Sequence, residues 1–361
     1  MNRTVLALGI IFLLVVMSFT SISGNQIDND IVVTSNMGNI LYVGGSGEGN
    51  YTKIQDAIDD AVDGDTVFVY DDSSPYFEGN ILINKAINLI GEDRDTTIID
   101  GKYHWVIINN VLVGANISGF TIRNGHFYGI GVSWGNSIRI YDNNIFNCDI
   151  GIQIYNSQYC SIISNTFKNC NDSIENHDND YIRISDNIIK GWSTPQTFYN
   201  GEIECFDNYK SIISNNTIIN YNEEGYICLY VLRTRDCIIK NNTIKRYGTA
   251  ITMQNGCYNN IISQNNIINN GYGIGFNYFS GFNKIINNNF INNTQNAGSV
   301  LLSFNNFFDS NYWDDWIGVR FPLPILQKFP KIIFGGFSLG IDWHPAKEPY
   351  NFTNIQGCGI E

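Results

Sequence analysis

The chain has 361 residues with 34 acidic and 21 basic side chains, so its formal net charge is −13, and only 15% of its residues are charged. This acidic balance argues against a nucleic-acid binder, and an aromatic content of 14% argues against disorder. The 57 Ile and 52 Asn make up close to a third of the residues. Because Asn is disfavoured inside helices and ordinary strands, the composition requires a fold that places Asn regularly at turns.

The first segment, residues 1–24, is predicted to be an export signal. Arg3 supplies a positive start, Val5–Val16 is almost entirely apolar, and Ser21–Gly24 is rich in small residues that suit cleavage. A retained membrane anchor is the alternative, although the apolar run is shorter than the ~20 residues of a spanning helix. Residues 25–40 are interpreted as a linker, and no later segment is typical of a transmembrane helix.

Residues 41–311 are predicted to form the main domain, which begins with a short capping helix. Thr52 and Gln55 have the spacing of a capping box, and Gly64 ends the helix. Between them lie apolar residues at helical spacing: Ile54, Ala57, Ile58, Ala61 and Val62. We expect this helix to cover the N-terminal end of the hydrophobic core.

An internal repeat occupies most of the main domain. Segments such as SIISNTF (161–167), SIISNNTII (211–219) and NIISQNNII (260–268) share an Asn-x-apolar motif. The motif recurs at a period near 22 residues, which is typical of one coil of a parallel β-helix. Aligning the motif places eight asparagines at one turn position: Asn143, Asn165, Asn187, Asn216, Asn242, Asn265, Asn288 and Asn305.

The asparagines at this position have a physical role in such a coil. If coils stack about 4.8 Å apart, side-chain amides can bond from coil to coil and can satisfy backbone groups at the turn. An Asn-rich low-complexity segment is excluded because the intervening Ile positions keep their register. The sequence therefore predicts an all-β fold, a right-handed parallel β-helix. Residues 312–361 are predicted to form an irregular C-terminal cap, the alternative being a partner-binding or membrane-binding tail.

Two parts of the sequence carry a family resemblance. YTKIQDAIDDAVDGDTVFV (51–69) and INLIGEDRDTTIIDG (87–101) resemble the first coil of right-handed β-helix proteins of the pectin-lyase-like superfamily. The II-x-N-N-x-I repeats and NYWDDW (311–316) resemble the NosD-like branch. The resemblance implies export to the periplasm, the cell surface or the medium. It does not imply one chemistry, because this fold supports lyases, hydrolases, epimerases and adhesins.

The NosD name implies a role in copper handling, which the sequence disfavours. Outside the export signal, Met37 and Met253 are far apart, and the four His residues are dispersed. The eight Cys contain no CxxC zinc pattern. Cys148 and Cys170 occupy one repeat position, so the sequence predicts either a disulfide between neighbouring coils or two stacked free thiols.

The strands that follow each Asn turn carry the candidate site. Their alignment places Glu175, Glu204 and Cys228 in one outward row, and His177, Phe206 and Tyr230 in the next. Glu175 and Glu204 would lie roughly 5 Å apart, where two carboxylates could share a proton or hold a cation such as calcium. The predicted catalytic residues are Glu175, Glu204 and His177. The predicted ligand-binding residues are Tyr155, Asp178, Phe206, Asp207, Tyr230, Arg233 and Arg235. The alternative is that these residues merely solvate the surface.

Three functional hypotheses follow. The favoured one is an exported protein that binds extracellular or cell-envelope polysaccharide without catalysis, because no complete catalytic signature is present. The second is a polysaccharide lyase or glycoside hydrolase that uses the two glutamates. The third is a NosD-like accessory protein for metalloenzyme maturation. Nucleic acid is not an expected partner of any of them.

Overall fold

The computed structural model describes residues 38–109, 114–191, 201–221, 227–300, 303, 305–316, 330–335 and 338–352. The predicted export signal (1–24), most of the linker (25–40) and parts of the C-terminal region (312–361) lie outside the described residues. The described segments form a parallel β-solenoid of about 11 turns with one short helix, so the predicted β-helix is confirmed. No helix among these segments is long and apolar enough to cross a membrane.

Each turn of the solenoid adds one strand to each of three sheets, which we call A, B and C. Sheet A consists, in spatial order, of β1 (Ile40–Val43), β2 (Thr66–Val69), β4 (Asn88–Gly91), β7 (Asn116–Ser118), β10 (Arg139–Tyr141), β13 (Ser161–Ile163), β16 (Arg183–Ser185), β19 (Ile212–Ser214), β22 (Ile238–Lys240), β25 (Ile261–Ser263), β28 (Lys284–Ile286), β31 (Phe307–Asp309), β34 (Ser338–Asp342) and β33 (Lys331–Gly335).

Sheet B consists of β5 (Ile98–Asp100), β8 (Thr121–Arg123), β11 (Asn144–Phe146), β14 (Thr166–Lys168), β17 (Ile188–Gly191), β20 (Thr217–Asn220), β23 (Thr243–Lys245), β26 (Asn266–Ile268), β29 (Asn289–Ile291) and β32 (Tyr312–Trp313). Sheet C consists of β3 (Ile81–Ile83), β6 (Ile107–Asn109), β9 (Tyr128–Ser133), β12 (Ile150–Tyr155), β15 (Asp172–His177), β18 (Gly201–Phe206), β21 (Ile227–Leu232), β24 (Thr249–Gln254), β27 (Tyr272–Asn277) and β30 (Gln295–Val300).

The core is built from columns of buried apolar side chains, one along each of sheets A and B and two along the longer strands of sheet C. Successive residues of a strand point to opposite faces, so one residue of each three-residue strand points inward. In sheet B this inward column is fully buried: Ile122, Ile145, Phe167, Ile189, Ile218, Ile244, Ile267, Phe290 and Trp313. The abundance of Ile therefore reflects the repeated need for a β-branched side chain at the same inward position.

A ladder of buried asparagines lines the turn between sheets A and B. The backbone N–H of Asn165 donates to Oδ1 of Asn187 at 2.9 Å, and Nδ2 of Asn165 donates to the Ile140 carbonyl of the preceding turn. The residue before each ladder position has a positive φ, as at Ser164 (57°) and Asn215 (58°). The ladder asparagine therefore makes hydrogen bonds to backbone groups, while the residue before it adopts the left-handed conformation.

One of the eight asparagines predicted to share this turn position is not part of the ladder. Asn305 is exposed and lies outside the ladder, whereas Oδ1 of Asn311 accepts hydrogen bonds from the backbone and side chain of Asn288. The Asn-x-apolar motif occurs at both sites, but Phe307 pairs with Lys284 in sheet A and points outward, while Trp313 continues the inward column. The other seven predicted asparagines are in the ladder. A second ladder, Asn260–Asn283–Asn306, was not anticipated.

The N-terminal end of the core is covered by α1 (Ile54–Asp60), which packs against β1, β2 and β3. Ile54, Ala57 and Ile58 are buried, as expected. The predicted capping box is wrong. The carboxylate of Glu78 accepts the backbone N–H groups of Ile54 and Gln55, and the Gln55 side chain bonds to the Leu82 backbone instead.

The described part of the C-terminal region is more regular than predicted. β33 and β34 form an antiparallel hairpin, and β34 pairs in parallel with β31, so the hairpin extends sheet A beyond the last coil. The ring of Trp313 stacks on Phe290 with centroids 4.4 Å apart. This stacking covers the end of the apolar column in sheet B.

Candidate functional site

The outer face of sheet C brings the predicted acidic residues together. The register of β12, β15 and β18 pairs Gln153 with Glu175, and Glu175 with Glu204. On the same strands, Tyr155, His177 and Phe206 form the adjoining outward row. The two glutamates therefore lie on neighbouring turns, in the register that the sequence alignment implies.

The alignment was wrong by two residues at β21. Glu204 pairs with Tyr230, and Leu232 occupies the row position that Tyr230 was expected to hold beside Phe206. Cys228 is fully buried instead of facing outward. The segment ICLYVL (227–232) can place apolar residues inward in either of the two registers. The alignment takes Ile227 as the inward residue, and this choice produces the two-residue shift.

The two glutamates differ in their surroundings. Glu204 is 5% exposed, its Oε1 accepts the backbone N–H of Gly201, and its Oε2 lies 3.3 Å from Nε2 of His177 without the angle of a hydrogen bond. Glu175 accepts a hydrogen bond of 2.6 Å from Nε2 of Gln153. Burial raises the pKa of Glu175, the Gln153 bond and nearby His177 oppose the rise, and the Glu204 charge adds to it.

Aromatic rings flank the acidic pair. His177 stacks on Phe206 with centroids 4.4 Å apart, and Phe206 meets Tyr230 edge to face at 5.1 Å. The Tyr230 hydroxyl donates to Oε1 of Gln254 at 3.0 Å. Towards the N-terminal turns, Tyr155 is 40% exposed and lies edge to face with the exposed Trp134. The face thus offers exposed rings beside a nearly buried polar row.

The turn after sheet C holds the remaining predicted residues. Asp178, Asp207 and Arg233 occupy one left-handed position, with φ of 56°, 55° and 48°. The Arg233 guanidinium donates two hydrogen bonds, of 2.7 and 2.6 Å, to the Asp207 carboxylate. A shallow groove of about 540 Å³ lies here, lined by Asp207, Arg233, Arg235, Asn255, Gly256, Tyr258 and Phe279. Asp178 is not among its lining residues.

A buried carboxyl that the sequence reasoning missed lies inside β18. Glu202 points inward, and its Oε2 accepts a 2.7 Å hydrogen bond from Ser173 Oγ. Burial raises the pKa of Glu202 to about 7, against the opposing effect of the Ser173 hydroxyl and the neighbouring Tyr247 hydroxyl. Gly191 leaves the space, since a Cβ there would lie 2.2 Å from Oε1 of Glu202. The sequence feature that could have revealed this buried carboxyl is a glutamate at the strand position where the adjacent turns have Ser173 and Cys228.

The structure does not contain the disulfide that was one of the two predictions for Cys148 and Cys170. Cys148 and Cys170 are both free and buried. Each thiol donates to a turn carbonyl, Cys148 to Phe146 and Cys170 to Lys168, in the manner of the ladder asparagines. The pKa of Cys170 is raised by the adjacent Cys148 thiol and by burial. The pair therefore corresponds to the stacked free thiols that were the alternative.

The residues described do not fit a copper centre. No three His, Cys, Asp or Glu side chains among them are grouped closely enough to hold a metal ion. The seven described thiols are buried, and burial raises the pKa of Cys205 and Cys228, whereas copper and zinc bind the thiolate. Among the described residues of this face, the Glu175–Glu204 pair offers fewer oxygens than the six to eight that calcium takes as ligands.

Fold and surface together define a class, a parallel β-helix protein with a polar and aromatic outer face. Residues 196–318 match the family described as "Periplasmic copper-binding protein (NosD)". The chain is a parallel β-helix protein, and over these residues, about a third of its length, it is similar to the NosD family. No curated protein sequence matches it.

Several solved structures are similar to this chain at low sequence identity. DFA-IIIase from Arthrobacter chlorophenolicus A6 is 10% identical over 68% of this chain and 67% of its own, with a TM-score of 0.49. An alginate lyase from Paenibacillus sp. is 11% identical over 85% and 99%, with a TM-score of 0.42. PfbA, a surface adhesin of Streptococcus pneumoniae, is 12% identical over 82% and 95%, with a TM-score of 0.42.

Proposed function

We propose that the protein is exported and binds an extracellular or cell-envelope polysaccharide on the outer face of sheet C, without catalysis. The observation that carries the proposal is the pairing of exposed aromatic rings, Trp134 and Tyr155, with a row of polar side chains on the next turns. Aromatic faces with a few fixed polar groups suit sugar rings, and the face continues over many turns, as an extended ligand requires.

Binding is favoured over catalysis by the state of the two glutamates. Glu204 is nearly buried and directs one oxygen to the Gly201 N–H and the other towards His177. Glu175 is already bonded by Gln153. A glycosidase needs both carboxyl groups directed at the scissile bond, so carboxylates engaged by their own protein are better suited to fixing the shape of the surface.

Export is supported by two features. Residues 1–24 are typical of an export signal, and the family that matches residues 196–318 is described as periplasmic. N-terminal sequencing of the protein recovered from a native-type host tests this part, because a mature chain that begins near residue 25 is expected.

The binding proposal is tested with a panel of neutral and acidic polysaccharides and titration calorimetry on the full chain. The double variant Trp134→Ala/Tyr155→Ala should weaken binding at least about tenfold, because each lost stacking ring is worth roughly 1 kcal/mol. Tyr141→Ala, on the outer face of sheet A, is the matched control and should bind normally. Turnover that Glu204→Gln abolishes would overturn the noncatalytic proposal.

A glycoside hydrolase or polysaccharide lyase is the second candidate, favoured by one observation. Burial raises the pKa of Glu175 beside a second carboxylate, and a general acid needs a raised pKa. The test is release of reducing ends, or of unsaturated products, from the same panel. Release that is lost in Glu175→Gln would support this candidate.

A NosD-like accessory role in metalloenzyme maturation rests only on the family match. Equilibrium dialysis of the mature protein against copper tests it. Tight, stoichiometric copper retention would favour this role over polysaccharide binding.

A further inference from the structure

The outer face of sheet B carries a line of lysines on successive turns. Lys168 and Lys190 are paired in register on β14 and β17, Ile219 follows on β20, and Lys245 follows on β23. Since turns stack about 4.8 Å apart, the three lysines lie within about 14 Å of one another along the solenoid axis. Arg246 is exposed next to Lys245 at the adjoining turn. We call these four residues the basic stripe.

The described strands of sheet B that carry and flank the basic stripe contain no acidic residue. No Asp or Glu occurs in β11, β14, β17, β20, β23, β26 or β29, although acidic side chains exceed basic ones by 13 in the whole chain. None of the ion pairs among the described residues includes Lys168, Lys190, Lys245 or Arg246. Elsewhere on sheet B, Arg123 is held by Asp100 at 2.7 Å. Among the described lysines and arginines of the sheet B strands, those without an ion pair are therefore the lysines of the basic stripe.

The arrangement is unfavourable for folding by itself. Like charges directly opposite each other on neighbouring strands destabilise a sheet, and Lys168 and Lys190 are such a pair. Neither lysine fills the core, because both point outward from strands whose inward residues are Phe167 and Ile189. A surface that concentrates cations at a cost to stability is matched by a ligand that brings the opposite charge.

We propose that the basic stripe binds a linear anionic polymer, one that carries carboxylate or phosphate groups along its length. The cations follow one line parallel to the solenoid axis, which is the pattern of charge that an extended polyanion presents. Thr166, Thr217 and Thr243 lie in the adjacent outward row, which Ile188 interrupts between the first two. Their hydroxyls can bond to hydroxyl or ester oxygens of the polymer.

A membrane surface fits this stripe less well than a polymer. The cations occupy a single line, and the protein as a whole carries a net charge of −13, so an anionic bilayer would repel most of the surface that it faced. A flexible chain can follow the line and avoid the acidic faces. This ligand site is on a different sheet from the one in the proposed function, and it does not depend on that proposal.

The test uses the full chain and four probes: a polyuronate, a poly(glycerol phosphate), neutral dextran, and vesicles of one part phosphatidylserine to four parts phosphatidylcholine. The variant is Lys168→Gln/Lys190→Gln/Lys245→Gln. The matched control is Arg139→Gln/Lys240→Gln/Lys284→Gln, which removes three cations from the outer face of sheet A. Thermal unfolding checks that both variants fold.

The expected result is binding of a polyanion that weakens steeply with added salt, falls at least about tenfold in the sheet B variant, and is unchanged in the control. The polyuronate and poly(glycerol phosphate) arms distinguish a carboxylate from a phosphate ligand. Equal affinities of the two variants for both polyanions would overturn the proposal, as would binding to vesicles alone or no polyanion binding by the unchanged protein. The Trp134→Ala/Tyr155→Ala variant should leave binding of poly(glycerol phosphate) intact, because this polymer has no sugar ring to stack on the aromatic side chains. This arm separates a failure of this proposal from a failure of the proposed function.

Discussion

The indole nitrogen of Trp313 donates a 2.9 Å hydrogen bond to Oδ2 of Asp342, a fully buried carboxylate of the C-terminal hairpin. The same oxygen accepts the backbone N–H and the side-chain amide of Asn311, the last ladder asparagine. The other oxygen accepts the backbone N–H groups of Ser310 and His344. Asp342 thus supplies the acceptors that a further coil would have supplied, and it attaches the hairpin to the solenoid.

Asp342→Ala is therefore expected to lower the free energy of unfolding by at least roughly 3 kcal/mol, since several buried donors lose their acceptor. Urea unfolding followed by tryptophan fluorescence measures the change. Arg94→Ala is the control, because Arg94 makes an exposed ion pair with Asp142 and its loss should cost about 1 kcal/mol or less. Equal losses in the two variants would contradict the role of Asp342.

Asn216→Ala should be strongly destabilising for the same physical reason within the ladder. Its Oδ1 accepts the backbone N–H and the side-chain amide of Asn187, and its Nδ2 donates to the Ile184 carbonyl. The loss of these buried bonds is expected to cost roughly 3 kcal/mol in urea unfolding. Asn277→Ala, at a half-exposed strand position of sheet C, should change stability by less than about 1 kcal/mol. A small effect at both positions would show that the ladder adds little stability.

Glu202 predicts a pH dependence of stability. Its pKa is raised from 4.5 to about 7 in the folded protein, so the folded state binds an extra proton between these values. Stability from this group is complete below about pH 4.5, falls as pH rises, and is lost above about pH 7, a change of roughly 3 kcal/mol. Urea unfolding at pH 4.5 and pH 8 measures this difference.

Glu202→Gln is neutral at every pH and should flatten that dependence. Glu48→Gln, at an exposed position near the N-terminal end, is the control and should keep the slope of the unchanged protein. Burial raises the pKa of Glu175 as well, so part of the slope should remain in Glu202→Gln. An unaltered slope would mean that Glu202 does not titrate in this range.

The thiols predict slow modification of the folded protein. Burial raises the pKa of Cys160 and Cys257 to about 11 and that of Cys237 to about 12, so few thiolates are present at pH 8. In a Cys358→Ser background, an aromatic disulfide reagent should react slowly with the native protein and titrate seven thiols after unfolding in urea. Five thiols without reductant and seven with it would instead indicate a Cys148–Cys170 disulfide.

The repeat made much of the fold predictable. An Asn at one turn and an Ile at one inward position recur at each coil, and both choices are local, so seven of the eight aligned asparagines lie in the ladder. The prediction for Asn305 was wrong because its motif is indistinguishable from that of Asn311. Only the inward packing of Trp313 on Phe290 selects Asn311 as the ladder residue. The capping box failed because Glu78, far away in sequence, takes its place.

The candidate site was predictable only in part. Glu175 and Glu204 could be aligned because the strands before and after them alternate clearly, and the structure pairs them. Tyr230 was displaced by one row because ICLYVL is apolar on both faces, so its pattern does not fix the register. Glu202 was missed because no repeat marks a polar residue that points inward.

By itself, the sequence determined the class of fold, since a period near 22 residues with Asn and Ile at constant positions has few other physical solutions. The tertiary structure decided which polar groups are accessible, which are buried, and which face carries which charge. These properties depend on contacts between residues about one coil apart, such as Glu204 with His177 and Lys168 with Lys190, and on the single register that packs the core without voids. The excess of Asn and Ile is thus a consequence of the architecture. The roles of the few charged residues can be inferred only from the structure in which their turns are stacked.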